Sequence, residues 1–149
     1  MVTSSDNGCI FCGIVRGEVR GDKVYEDEEV IAFLDAFPLF PGHVLVSPKD
    51  HIVTLADLPA NQVGRLFSHV QLIAKAVESA VEAEGSFVAI NNRVSQTVPH
   101  LHVHVVPRRR GDGLKGFFWP RRHYEDNESR EVIRKTIEGA IRELLAQES

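Results

Sequence analysis

The run His100-Leu101-His102-Val103-His104-Val105-Val106 places three imidazoles at alternate positions. Strict alternation is the pattern of a half-buried strand, in which successive side chains point to opposite faces of a sheet. The three histidines then share one face, and Leu101, Val103 and Val105 form an apolar backing on the other. Imidazoles this close cannot all be protonated cheaply, so at neutral pH at least one is neutral and nucleophilic. Such a ring attacks an acyl or phosphoryl centre and forms an adduct labile enough to be hydrolysed. Flanking rings donate protons or hydrogen bonds to the oxygens on which charge develops. His102 is the middle ring, between His100 and His104. Gln96 and Thr97 offer further donors, and Asn91 and Asn92 stand at the mouth of the loop before them. Several polarised donors with no serine or cysteine beside them favour a phosphoryl group over a peptide.

Cys9-x-x-Cys12 is the second constellation. A closed structural zinc site needs two more ligands, usually histidines, and His51 and His100 are the candidates. A redox pair and plain packing remain open, although a redox pair wants a preceding strand, and only a polar tail precedes this one. Other residues read more plainly. His69 falls on the polar face of a helix, His43 marks entry into a strand, and Arg108-Arg109-Arg110 forms a basic turn that could hold a polyanion or simply be solvated.

The elements that position these groups follow in chain order. Residues 1–8 read as a disordered tail and 9–149 as a single domain. A short helical stretch from Cys9 ends at Arg16-Gly17-Glu18. Strands are expected at 23–25 and 30–34, joined across an acidic turn, then at 44–47 and 87–90. The fifth, 96–106, carries the histidines. Apolar residues recur at helical spacing from Pro59 to about Glu84, with Gly85 as the stop. A second amphipathic helix covers about 128–147, with Asn127 or Ser129 as N-cap. Phe117-Phe118-Trp119-Pro120 shows no period. This order gives an α+β domain.

A chain of 149 residues is large enough for a core without staples, and two neighbouring cysteines would not staple one. With a net charge of −4 it has no broad basic face for nucleic acid. No apolar run reaches membrane-span length, and the first residues lack a signal-peptide core, so a cytoplasmic protein is expected.

His100-x-His102-x-His104 followed by two apolar residues resembles the motif of the histidine-triad (HIT) superfamily of nucleotide hydrolases and transferases. Cys9-Ile10-Phe11-Cys12-Gly13-Ile14 with Gly17-Glu18, Ile31 to Asp35, Pro41-Gly42-His43 through His51, and Gln96 to His100 look like its blocks in order, over residues 9 to 107. The resemblance implies a five-stranded antiparallel sheet with helices, two such sheets being joined across a homodimer. It makes His102 the nucleophile on an α-phosphate, forming a nucleotidyl-histidine. His104 and Thr97 would contact the phosphate, and His100 would orient His102 through its backbone carbonyl. Asp35 falls where the ribose hydroxyls bind, and Ile10, Phe11, Ile14 and Phe33 match the purine slot. Members with the cysteine pair look as if they hold zinc through Cys9, Cys12, His51 and His100. The loop before the triad is two residues shorter than the family's, Ser95 stands in place of a glycine, and Asn91 becomes the phosphate-loop amide.

The expected activity is hydrolysis at the α-phosphate of a purine nucleotide of the phosphoramidate or acyl-nucleotide type. The alternatives are a diadenosine polyphosphate hydrolase, with the arginine run holding extra phosphates, and a non-catalytic nucleotide-binding adaptor.

Overall fold

A computed structural model describes residues 8–114 and 121–148. The expected tail, apart from Gly8, and the segment containing Trp119 lie outside them. The chain divides into two compact units, residues 1–112 and 113–149.

The first unit is built on a five-stranded antiparallel sheet in the order β1-β2-β3-β5-β4. Its strands are β1 (Lys23–Glu26), β2 (Val30–Leu34), β3 (Val44–Pro48), β4 (Gly85–Ala89) and β5 (Val103–Arg108). Alternation sorts β2, β3 and β5 into two faces. Val30, Ala32, Val44, Val46, Val103 and Val105 meet Leu66, Val70, Ile73 and Val77 of the long helix α2 (Ala60–Ala80). Each of those helical side chains contributes about 1.5–3 kcal/mol by leaving water. The other face carries Ile31, Phe33 and Leu45, which pack with Phe11 and Ile14 of the short helix α1 (Ile10–Arg16). Gly17, at φ 77°, closes α1 in the left-handed conformation that glycine adopts freely.

Several boundaries differ from the sequence expectation. Helix α2 ends at Ala80, before the expected stop at Gly85, and Glu82 takes a positive φ of 53°; Gly85 instead opens β4. The triad strand begins at Val103, not at Gln96. Residues 96–102 lie outside the ladder, with bends at 97–100, their amides bonding locally or to the segment after β3: His100 N–H to Val98 O, and Leu101 N–H to Ile52 O. The shortened loop also holds two left-handed residues, Arg93 at φ 68° and Ser95 at φ 61°, so Ser95 occupies a conformation suited to the glycine it replaces.

One side chain expected in a bland role is built in. His69, expected in solvent, is only 14% exposed, with Nε2 2.8 Å from Asp27 Oδ2 and Nδ1 2.7 Å from the Arg65 carbonyl. Burial of Asp27 favours its neutral form. The N–H groups of Glu29 and Val30, the Tyr25 hydroxyl and His69 outweigh this and hold the carboxyl well below the usual range. That carboxylate fixes the β1–β2 turn and ties it to α2.

The second unit contains helix α3 (Asn127–Gln147), close to the expected 128–147. Its N-cap is Asp126, not Asn127 or Ser129; Ser129 is the reciprocal partner in a capping box.

Candidate active site

The histidine face of β5 and the segment before it closes against α1. His100 and His102 are buried, Leu101 lies in the opposite core, and the alternation therefore continues through 100–102 without strand pairing. Ser47 Oγ donates to the Leu101 carbonyl at 2.8 Å and anchors this unpaired stretch to β3. Phe11 stands edge-on to His102, Phe33 and His100, at 5.0, 5.1 and 5.9 Å between ring centroids.

The proton positions on the rings follow from their fixed partners. His102 Nδ1 lies 2.6 Å from the His100 carbonyl, which only accepts, so Nδ1 carries the hydrogen and Nε2 keeps its lone pair. His100 Nε2 lies 2.8 Å from the Pro48 carbonyl and donates to it, leaving Nδ1 as the basic nitrogen. Burial, then His102 and His43, push His104 down to about 4 against the pull of Asp35. Burial likewise lowers His43, with Asp35 opposing.

These shifts fix a sign for acid stability. An unfolded histidine takes up its proton near pH 6.5, whereas folded His104 refuses it until about pH 4. Its neutral form costs nothing above pH 6.5, and stability drains away as pH falls from there toward 4. Urea midpoints measured from pH 7 to 4.5 are expected to decline, and to decline less steeply in His104→Asn. Parallel curves would show that His104 is not the group responsible.

A cavity of about 290 Å³ opens beside these rings. Ile10, Phe11, Ile14, Phe33 and Leu45 line an apolar part, and Thr97, His102, His104 and Asp35 supply polar groups. Asp35 Oδ1 accepts the Phe37 N–H at 2.9 Å. Gln96 does not line the cavity: its amide braces the loop, donating to Val53 O and accepting the Arg93 N–H. Asn91 is exposed and also outside the lining, while Asn92 holds the Leu55 N–H.

Cys9, Cys12, His51 and His100 come together, each with one ligand atom, all four within 4.8 Å of one another. Both sulfurs lie 3.5 Å from His100 Nδ1, and Cys12 Sγ lies 3.3 Å from His51 Nδ1. A tetrahedral ion with Zn–S near 2.3 Å and Zn–N near 2.05 Å sets sulfur and nitrogen about 3.5 Å apart, so the four fit zinc. The Pro48 carbonyl that binds His100 Nε2–H is the outer-shell contact a metal-binding imidazole needs.

The arginine run is internally engaged. Arg108 makes a two-pronged pair with Asp112, Arg109 reaches the Val81 carbonyl, and Arg110 meets Glu84 at 3.4 Å. His43, read from sequence as a mere strand-entry residue, is 3% exposed with Nε2 3.0 Å from His104 Nδ1. The signal available was its parity: it shares the face of Leu45, which pairs with His104.

The HIT domain pattern matches residues 16–111. Adenylylsulfatase HINT3 of Arabidopsis thaliana is 38% identical over 119 residues, covering 78% of this chain and 60% of that one. SMU.412c of Streptococcus mutans superposes with a TM-score of 0.80 at 38% identity, covering 91% of this chain and 86% of that one. A zinc-bound histidine triad family protein of Mycobacterium smegmatis gives a TM-score of 0.69 at 38% identity, with 91% and 99% covered. With the triad, the sheet and the cavity arranged as described, this chain belongs to the HIT family.

Proposed function

We propose that the protein hydrolyses purine nucleotides at the α-phosphate, releasing an amine or acyl leaving group through a nucleotidyl-histidine on His102. The observation that carries this reading is the His102 Nδ1–His100 carbonyl contact of 2.6 Å, which directs the remaining lone pair to Nε2 in a ring lining the cavity. The apolar part of the cavity suits a purine, Asp35 suits ribose hydroxyls, and His104 and Thr97 suit phosphoryl oxygens. In the first step Nε2 bonds to phosphorus as the phosphorus bond to the leaving group breaks. The leaving group takes up a proton. Water then attacks phosphorus, the P–Nε2 bond breaks, and the proton the water gives up replaces the one consumed. Chemistry on adenylyl groups in the Arabidopsis adenylylsulfatase supports the α-phosphate as the reacting centre.

The arginines bear on the leaving group. With Arg108 and Arg110 already paired to carboxylates, the basic turn offers little charge to the far phosphates of a dinucleotide. Release of AMP from an adenosine phosphoramidate is therefore expected to exceed cleavage of a diadenosine polyphosphate at equal concentration. The reverse preference would favour the polyphosphate reading, and tight nucleotide binding with no turnover of either would favour an adaptor.

The reading includes a structural zinc on Cys9, Cys12, His51 and His100, and a homodimer in which sheets join. Edge strand β4, paired among the described residues to β5 alone, supports that mode of assembly. No helix among the described residues is long and apolar enough to cross a membrane.

A further inference from the structure

A second cavity, of about 320 Å³, adjoins the first. Ile10, Thr97 and Val98 line both, whereas Phe33, Asp35, His102 and His104 line the first and not the second. The two therefore meet at Thr97, the end of the nucleotide cavity suited to the phosphoryl group, and not at its nucleoside end. Displacement at phosphorus runs in line, so a leaving group departs on the side away from the attacking ring. A cavity that shares Thr97 and lacks His102 has the position such a group requires.

Its walls are held before any ligand arrives. Leu101 N–H donates to Ile52 O at 2.6 Å, and Gln96 Nε2 donates to Val53 O at 2.7 Å. These bonds tie residues 52–53 to the segment 96–101 and so fix Val53 against the chain that carries Val98 and Pro99. Gln96, which does not line the nucleotide cavity, thus shapes its neighbour.

The lining decides what this cavity accepts. Val53 and Pro99 add apolar surface to that of Ile10 and Val98. Cys9 and His51 border it too, with Sγ and Nδ1 directed into the metal cluster. Among the described residues no lysine, arginine, aspartate or glutamate lines it. An ammonium or carboxylate entering here would shed water and meet no opposite charge, a cost that an alkyl or aryl group does not incur.

We propose that this cavity is the subsite for the body of the leaving group, and that it selects an uncharged alkyl or aryl group joined to phosphorus through the amine or acyl linkage. The assignment rests on the proposed reaction at the α-phosphate and narrows it to substrates whose departing half is apolar.

Adenosine phosphoramidates that differ only beyond the nitrogen test it: the unsubstituted amide, a series of n-alkyl chains, a benzyl compound, and chains ending in an ammonium or a carboxylate. In wild type, kcat/KM is expected to rise about twofold or more with each added methylene until the cavity fills. It should fall by about tenfold or more when the chain ends in either charge. Val53 lines the second cavity and not the first, so Val53→Asp puts a carboxylate into the subsite alone. That variant should lose about tenfold on the benzyl compound and gain on the ammonium chain. The unsubstituted amide, too small to enter the cavity, should keep its rate and so report a folded enzyme. Val53→Thr, of nearly the same shape, should move the benzyl-to-unsubstituted ratio the same way by a few-fold, roughly the effect of one buried hydroxyl. Rates independent of chain length and charge overturn the subsite, as do Val53 variants with wild-type selectivity. Should wild type turn over none of the compounds, the reaction assigned above fails, and calorimetric affinities for the same series decide the cavity. Affinity that climbs with chain length in wild type but not in Val53→Asp supports it; affinity that stays flat overturns it.

Discussion

Replacing His102 with alanine is expected to reduce AMP release from an adenosine phosphoramidate by at least about a thousandfold, because neither flanking ring of the triad is placed to form the proposed covalent adduct. His100 Nδ1 faces the cysteine sulfurs, and His104 Nδ1 faces His43. Neither ring can take over from the same position. Nucleotide affinity should stay within a few-fold of wild type, roughly what is expected where lost groups act mainly in the transition state. Phe11, Phe33, Ile14 and Asp35, the cavity residues proposed to hold the nucleoside, all remain in place. Loss of the ring also removes its edge contact with Phe11 at 5.0 Å, so a modest drop in stability accompanies the loss of rate. Turnover by the variant equal to that of wild type would sink the covalent route. Wild-type protein that binds nucleotide but never turns over would make the triad a binding device.

The second large effect concerns the cysteine–histidine cluster. Freshly purified protein is expected to carry close to one zinc per chain, and Cys12→Ser to lose it. The cost should be on the order of 3 kcal/mol, below the ~10 kcal/mol or more by which zinc holds finger peptides together, because an independent core supports this sheet. Cys9 caps α1 and Cys12 lies within it, whereas His51 follows β3 and His100 precedes β5. The cluster therefore stitches α1 onto the sheet. Since α1 also supplies Ile10, Phe11 and Ile14 to the cavity, metal loss should raise KM more than it lowers kcat. Metal content and calorimetry before and after chelation decide the matter. Protein with no zinc and a chelator-insensitive melting point would leave four side chains packed together without a metal.

The alternation of His100, His102 and His104 with Leu101, Val103 and Val105 was readable because period two survives wherever the chain is extended. The same property hid the true start of β5, since alternation does not reveal whether amides join a ladder or, like Leu101, bond to a carbonyl at Ile52. Helix α2 was visible in its apolar spacing. Its end was not, because a glutamate took the left-handed turn that a nearby glycine could have made at lower cost. Asp35 and the apolar wall of the cavity came from family blocks and not from spacing. His43 does enter β3 as expected, but its contact with His104, like that of His69 with Asp27, was hidden because each partner lies at least 42 positions away in sequence.

His100 enters two different bonds through two different parts of itself. Its ring faces the cysteines, whereas its main-chain oxygen aims the ring of His102. Side-chain scanning can examine only the first of these. An alanine at 100 keeps the carbonyl, so any change it causes in turnover reports displacement of that oxygen when the cluster relaxes, not loss of an aiming group. Mutational maps of this protein will therefore understate position 100 as a guide for the proposed nucleophile. They will credit the aim to whichever neighbours keep the backbone still, Ser47 beneath the Leu101 carbonyl first among them.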